Sequence, residues 1–461
     1  MFVGSWWNEK EHASVSGEEL PIVMEAYKKI SEKSVFQPSN NQLVEGAIRG
    51  MTESIGDPYS TYYTEEEAEQ HRLSLAEERV GVGLEVMKSG NRFVVISPMK
   101  NSPAERAGIR PYDEIVQVEK ARLDGHSMAA LLGMLKGEVG TKVSIVVYRP
   151  STDRHLQLTL ERSEILNDTV TSDVIKVEGT KLGLISVSMF GEKTADEWVT
   201  ETKKLLKEDV AGIVIDVRDN PGCYLHSGAG LASTITKEGT IFAYMQDAEG
   251  ALVELKTQKG KLEDNYFEKM QEIPLVLLQN EGSASASEVL SGALQAWGRA
   301  TIIGVTSFGK GTVQDTWALK NGGELKLTTN KWLTPRREWI HSKGIQTDIT
   351  VEQNEIFSLE MQPMRGEFKL GDMGEEIAYA QKVLEKLGYS LARTDGYFDK
   401  STESVVEKYR KQEKLPSGKQ LDTELFSKLH EQILSYKEDT THDTQLQMGL
   451  SVLLHNIEQE R

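Results

Sequence analysis

Apolar residues recur at three-to-four spacing in "LPIVMEAYKKI" and "NQLVEGAIRGMTESI", the period of helices with one apolar face. "GDPYSTYYTEEEAEQH" then inserts a turn and an acidic helix start, so residues 18–77 read as a helical region. From Val80 the period shortens to that of strands, in "VGVGLEVM", "RFVVISPM", "DEIVQVEKARL" and "KVSIVVYRP". Short helical stretches, "SPAERAG" and "HSMAALLGML", interrupt them, which predicts a small mixed barrel over 78–163. Beyond 164, the strand-like runs "KLGLISVSMF", "AGIVIDVRDNPGC", "IPLVLLQ" and "ATIIGVTSFGKG" alternate with helical "TADEWVTETKKLLKE" and "SEVLSGALQAW". That alternation predicts a parallel sheet with crossover helices over 164–355, and "ELKLTTNKWLTP" is expected to complete it at an edge. A three-helix module follows over 366–432. The charged linker "SYKEDTTHD" and the amphipathic tail "QLQMGLSVLLHNI" occupy 433–461. The predicted class is multidomain α+β.

Composition narrows this picture. A chain of 461 residues exceeds what one core serves, so two to four domains are expected. With 53 Lys+Arg against 71 Asp+Glu the net charge is -18, and no basic stripe appears, which argues against a nucleic-acid partner. The lone Cys223 excludes an internal disulfide and any multi-cysteine metal site. No segment reaches the ~20 apolar residues of a membrane span. "MFVGSWWNEK" (within 1–17) reads either as a disordered start or as the end of an N-terminal anchor with its two tryptophans at the interface.

The candidate chemistry lies in three loops. If the strands ending near Asp216, Gln279 and Val305 are parallel, their loops emerge at one carboxyl edge, where open α/β sheets place their sites. Ser285, Lys310 and the Gly222 backbone then converge. A serine needs a base beside it, and no GxSxG elbow occurs in this chain. A lysine serves as base when burial disfavours its charge, and Lys310 lies between Gly309 and Gly311 behind Phe308. Gln314 can orient the amine, and the amides of Gly222 and Ala286 can form an oxyanion hole. Other readings compete. Ser285 with Glu288 also spells a capping box, and Ser283 and Ser287 are rival nucleophiles. An isolated lysine is ordinarily solvated, and His226 or His341 can serve a Ser-His hydrolase.

The ordered run "IDVRDNPG", "NEGSASASE", "TSFGKGTVQ", "KLTTNKWLTP" resembles the carboxyl-terminal processing, or tail-specific, serine proteases of the bacillus type. The resemblance runs from about residue 20 to the tail. "GDPYSTYY" matches the family's N-terminal region, and "GVGLEV", "SPAERAGIRPYDEIVQV" and "GTKVSIVVYR" match its PDZ domain. "GDMGEEIAYAQKVLEKLGY" with "DGYFDKST" matches a peptidoglycan-binding-like domain. The resemblance implies a crotonase/ClpP-like core with Ser285 as nucleophile, Lys310 as general base and Gln314 positioning the lysine. Gly222 and Ala286 would supply the oxyanion hole. Val80, Gly81, Val82, Gly83 and Leu84 would form the PDZ loop that holds a peptide carboxylate, with Leu84 and Val86 flanking the side-chain pocket. Arg149 would couple the PDZ domain to the protease or be a surface arginine. Also implied are an unstructured C-terminal tail as substrate, no cofactor or metal, an extracytoplasmic location and a part in signal transduction. A homodimer built through the N- and C-terminal regions, and possible peptidoglycan binding, complete the list of partners. Several positions depart from the family pattern: Cys223 and Arg337 where glycine is usual, "GIQTD", Glu119-Lys120, and Tyr409-Arg410. They leave room for a silent PDZ scaffold or a wall-binding adaptor.

Overall fold

The structure, a computed structural model, describes residues 19–75, 78–99, 102–166, 168–260, 264–359 and 366–459. The tryptophan-bearing start read as a disordered terminus or anchor lies outside the described residues. The chain divides into two units: Met1–Leu75 with Asp247–Ala251 and Thr312–Lys331, and all the rest. The division does not follow chain order, because a segment after Lys310 joins the N-terminal region.

In the first unit the helices Glu19–Lys33 and Asn40–Glu53 form as their spacing predicts. The second opens on a capping box: Ser39 Oγ accepts the Gln42 amide at 3.2 Å, and Gln42 Oε1 accepts the Ser39 amide at 2.9 Å. Leu20, Ile22 and Met24 of the first helix, and Val35 and Phe36 of the turn after it, stay exposed. The strand Thr61–Tyr63 pairs antiparallel with Lys326–Glu324, and Thr312–Ala318 pairs antiparallel with Lys331–Glu324. The "ELKLTTNKWLTP" strand therefore does not complete the parallel sheet, contrary to expectation. Its residues 324–330 are all half-exposed, whereas strands of a parallel sheet are buried on both faces.

In the second unit the PDZ sheet runs in the order Leu84–Ser89, Arg92–Pro98, Glu114–Val118, Lys142–Arg149, Arg154–Glu161. Its two short helices, Pro103–Arg106 and Met128–Leu135, close over Phe93, Val95, Ile115, Leu131 and Ile145. The central sheet runs Val170–Val177, Thr180–Val187, Ile213–Asp216, Leu275–Gln279, Ala300–Gly304, Ile349–Thr350. The first pair is antiparallel and the others are parallel, as the alternation predicts.

The tail corrects two expectations. Ser435–Glu438, read as linker, are the last turn of the helix Thr423–Glu438. The amphipathic segment forms the helix Thr444–Gln459, whose Leu446, Leu450, Leu453 and Ile457 pack on Val214, Val276, Leu278 and Ile303 of the chain's own sheet. Glycine permits this approach, since a Cβ at Gly212 would lie 2.8 Å from Leu453. Four such buried side chains contribute roughly 6–12 kcal/mol, so the apolar face expected at a subunit interface is an integral layer of the core.

The C-terminal module consists of Glu375–Lys386, Lys400–Gln412 and Thr423–Glu438. Its pattern residues serve its own fold: Gln381 Nε2 donates to the Tyr397 carbonyl and Thr402 Oγ1, and Gln381 Oε1 accepts the Gly396 amide. Tyr409 and Arg410 are both buried, with Arg410 paired to Asp422 and to the carbonyls of Pro416 and Gln420.

This module also meets the PDZ domain, where Tyr112 stands edge-on to the ring of buried His430 at 5.4 Å. Burial, then the Lys437 charge, push His430 from 6.5 down to about 4, against the Ile96 backbone and Glu431. The folded form thus binds fewer protons than the unfolded chain between these values. The resulting stabilisation, about 3 kcal/mol, is complete above pH 6.5 and is lost as pH falls towards 4. Urea unfolding followed over that range should show this loss, and His430→Phe should remove the part that His430 contributes.

Candidate active site

The strands Ile213–Asp216, Leu275–Gln279 and Ala300–Gly304 run parallel in adjacent register, so the turns that follow them share one edge. Ser285 caps the helix Ala286–Trp297 with φ 54° and ψ −114°, a conformation costly for a residue with a side chain. Gly222 lies against it. A Cβ there would stand 2.7 Å from the Ala286 nitrogen and 2.8 Å from Ser285 Cβ, so only glycine fits. Gly222, Ser285 and Ala286 are thereby brought together from two loops.

The third loop is tied in by one buried carboxylate. Glu288 Oε2 accepts the Ser285 amide at 2.9 Å and the Lys310 amide at 2.8 Å. Glu288 Oε1 accepts the Ser307 hydroxyl and the Gly309 amide, each at 2.6 Å. The capping reading of Glu288 holds in its carboxylate half. The same group also clamps the turn that carries Lys310, a second role that helical spacing alone does not reveal.

The rival serines are committed elsewhere. Ser283 Oγ donates to the Val217 carbonyl at 2.7 Å, and Ser287 Oγ donates to the Asn220 carbonyl at 2.9 Å. Both are buried and lash the helix start to the 217–222 loop. Asn220, overlooked in the sequence, organises that loop. Its Nδ2 donates to the Val187 carbonyl and its Oδ1 accepts the Gly222 amide at 2.8 Å. One of the two amides expected in an oxyanion hole therefore has an internal acceptor. The other, Ala286, is the first amide of its helix and has no intrahelical acceptor. The loop's base is held by Arg218, which pairs with Asp216 at 2.6 Å and with Asp443 at 2.7 Å. Burial pushes the Asp443 carboxyl up, but the Arg218 hydrogen bond and charge bring it below its ordinary value.

Two departures from the family pattern fall where glycine is useful. Cys223 has φ 119° and Arg337 has φ 63°. Arg337 finds partial compensation over the Tyr244 ring, 4.9 Å from its centroid. His226 is exposed, and His341 stacks on Trp339 at 5.2 Å. Among the described residues no group of three or more His, Cys, Asp or Glu could hold a metal ion.

Gln314 belongs to the first unit. Its Nε2 donates to Thr312 Oγ1 at 3.1 Å and to Thr328 Oγ1 at 3.0 Å. In the PDZ domain, Val80 and Gly81 pair with Glu164 and Ser163, which leaves Val82 and Gly83 as the loop proper. Val82 is buried and Gly83 turns with φ 72°. Leu84 and Val86 lie on the strand at the edge of the PDZ sheet, which pairs only with Arg92–Pro98 among the described residues. Arg149 is not a surface arginine: it grips buried Asp113 through two bonds of 2.7 Å and also reaches the Gly108 carbonyl. Its side chain is 12% exposed.

Residues 181–351 match the Peptidase family S41 model, 5–67 the N-terminal domain of the activating protease CtpB, 94–149 a PDZ domain and 373–429 a putative peptidoglycan binding domain. The chain is 36% identical to the carboxy-terminal processing protease CtpB of Bacillus subtilis, over 94% of this chain and 89% of that protein. It is 31% identical to CtpA of the same organism, over 96% and 92% of the two chains. A probable CtpA-like serine protease of Staphylococcus aureus is 31% identical over 94% of this chain and 85% of its own length. The chain belongs to the carboxy-terminal processing serine proteases of family S41, and it is a serine-type endopeptidase.

Two substitutions probe this site. Glu288→Gln turns an NH2 towards donors that need an acceptor; kcat/KM against an unfolded protein should fall roughly 100-fold, with a lowered unfolding midpoint. Cys223→Gly removes the strain of its positive φ and should raise the denaturant midpoint by an amount worth about 1 kcal/mol.

Proposed function

We propose that this protease captures unstructured C-terminal tails on its PDZ domain and cleaves them with a Ser285–Lys310 dyad. Neutral Lys310 takes the Ser285 hydroxyl proton as the oxygen attacks the scissile carbonyl. The proton then passes to the leaving amine, and water hydrolyses the acyl-enzyme by the same route in reverse. Gln314 orients the lysine, and the amides of Gly222 and Ala286 receive the oxyanion. The observation that carries this reading is the single oxygen, Glu288 Oε2, that accepts the backbone amides of both Ser285 and Lys310.

The dyad is gated in this reading. Gly222 donates to Asn220 Oδ1, so the oxyanion hole requires a local turn before it can act, and peptide bound at the PDZ edge strand would favour that turn. The carboxylate-holding loop is Val80 to Leu84, with Val86 beside the pocket. The pairing of Arg149 with buried Asp113 supports a role for Arg149 in holding the PDZ frame through which such a signal passes. The functional divisions in this reading are 18–77, 78–163, 164–355 with the hairpin 312–331 set apart, 366–438 and the helix Thr444–Gln459. Exposed apolar residues on the two N-terminal helices support a homodimer. An extracytoplasmic location, as a secreted or tethered enzyme, also belongs to this reading, as does contact with peptidoglycan, which the C-terminal match supports.

Casein cleavage by wild type, Ser285→Ala and Lys310→Ala, with and without a long peptide ending in apolar residues, tests the proposal. Both variants should lose at least about 1,000-fold in kcat while still binding the peptide. Cleavage by Lys310→Ala would return the base to His226 or His341, and an inert wild type would favour the silent scaffold.

A further inference from the structure

The role proposed for Gln314 depends on which end of its amide faces the lysine. A carbonyl oxygen accepts an N–H from the amine and leaves the nitrogen lone pair for the serine proton. An NH2 in its place would donate to that lone pair and block the base. We infer that Asp57, in the "GDPYS" turn, decides between these and is a positioning residue for the reaction. The inference rests on the proposed role of Gln314.

The chain of hydrogen bonds has only one polarity. A carboxylate is an acceptor only, and Asp57 Oδ2 takes the hydroxyl protons of Thr328 and Ser60, each at 2.6 Å. Thr328 has one hydroxyl proton, so its oxygen is left as an acceptor. It receives Gln314 Nε2, whose second hydrogen goes to Thr312 Oγ1. Both donors of the Gln314 amide are thus committed within the strand pair, and Oε1 is the end available to the lysine. Two backbone features set this up. A bulge between Val313 and Gln314 skips Thr329 and puts Gln314 opposite Thr328. The pairing of Thr61–Tyr63 with Lys326–Glu324 brings the Asp57 turn alongside, where Ser60 Oγ also accepts the Thr328 amide at 3.0 Å.

Asp57→Asn is isosteric but offers Thr328 a donor, which frees the threonine proton and reverses the Gln314 amide. We expect kcat to fall about 30-fold with KM within about twofold. The acid limb of the pH–rate profile should move to lower pH, since the ammonium form loses its acceptor. Thr328→Val should behave similarly, while Thr328→Ser keeps the hydroxyl and should stay within about threefold of wild type. In a Gln314→Ala background, Asp57→Asn should cost no more than about twofold further. If Gln314→Ala lowers kcat but Asp57→Asn leaves it and the pH profile unchanged, the role of Asp57 is overturned and that of Gln314 stands. Losses that multiply in the double variant would likewise overturn it, as a purely structural effect. If Gln314→Ala itself leaves kcat and the pH profile unchanged, the role of Gln314 fails and the inference goes with it.

Discussion

The buried carboxylate of Glu288 is the constraint from which the candidate site of this protein is built. Four donors from two loops end on its two oxygens, and two of them are the backbone amides of Ser285 and Lys310. A desolvated carboxylate is unfavourable unless it is fully hydrogen-bonded, so neither loop can move without exposing that cost. The proposed dyad needs the backbones of Ser285 and Lys310 fixed relative to each other, and this arrangement fixes them.

Around that clamp the loops are locked by small residues and by hydroxyls that point away from the chemistry. Ser283 and Ser287 hold the 217–222 loop, and Gly222 fits against Ser285 where no Cβ could. Arg218, gripped by Asp216 and Asp443, ties the base of the same loop to the segment just before the C-terminal helix. The helix that follows supplies an apolar layer to the sheet. The protease core therefore depends on chain that lies far beyond residues 181–351, the extent of its family match.

Much of this was legible in the sequence because periodicity records burial. The apolar runs 213–215 and 275–278 read as strands covered on both faces, and their parallel pairing places the Ser285 and Lys310 loops at one edge. The capping spacing located Glu288. What the sequence did not disclose were relations that have no period. The bonds from Glu288 to Ser307 and Gly309 join separate loops, and the hairpin 312–331 reads locally like an edge of the nearest sheet. The tail's stripe of Leu446, Leu450, Leu453 and Ile457 says that the helix is buried, but is silent on whether its partner is another subunit or its own sheet.

The departures from the family pattern bear on how the site is poised. Residues 222 and 223 both have positive φ, and the second carries a side chain. Such a backbone stores on the order of 1–3 kcal/mol and persists only where its surroundings hold it. Here they do: Phe190 donates its amide to the Gly222 carbonyl and accepts the Tyr224 amide, bracketing Cys223 on both sides. The Gly222 amide meanwhile rests on Asn220 rather than facing an empty hole. Strain in the peptide after Gly222 and an internal acceptor for its amide have opposite effects: the strain favours rotation of this segment, and the Asn220 bond opposes it. A loop balanced in this way needs only a modest differential in binding free energy to change state, as the proposed gating requires.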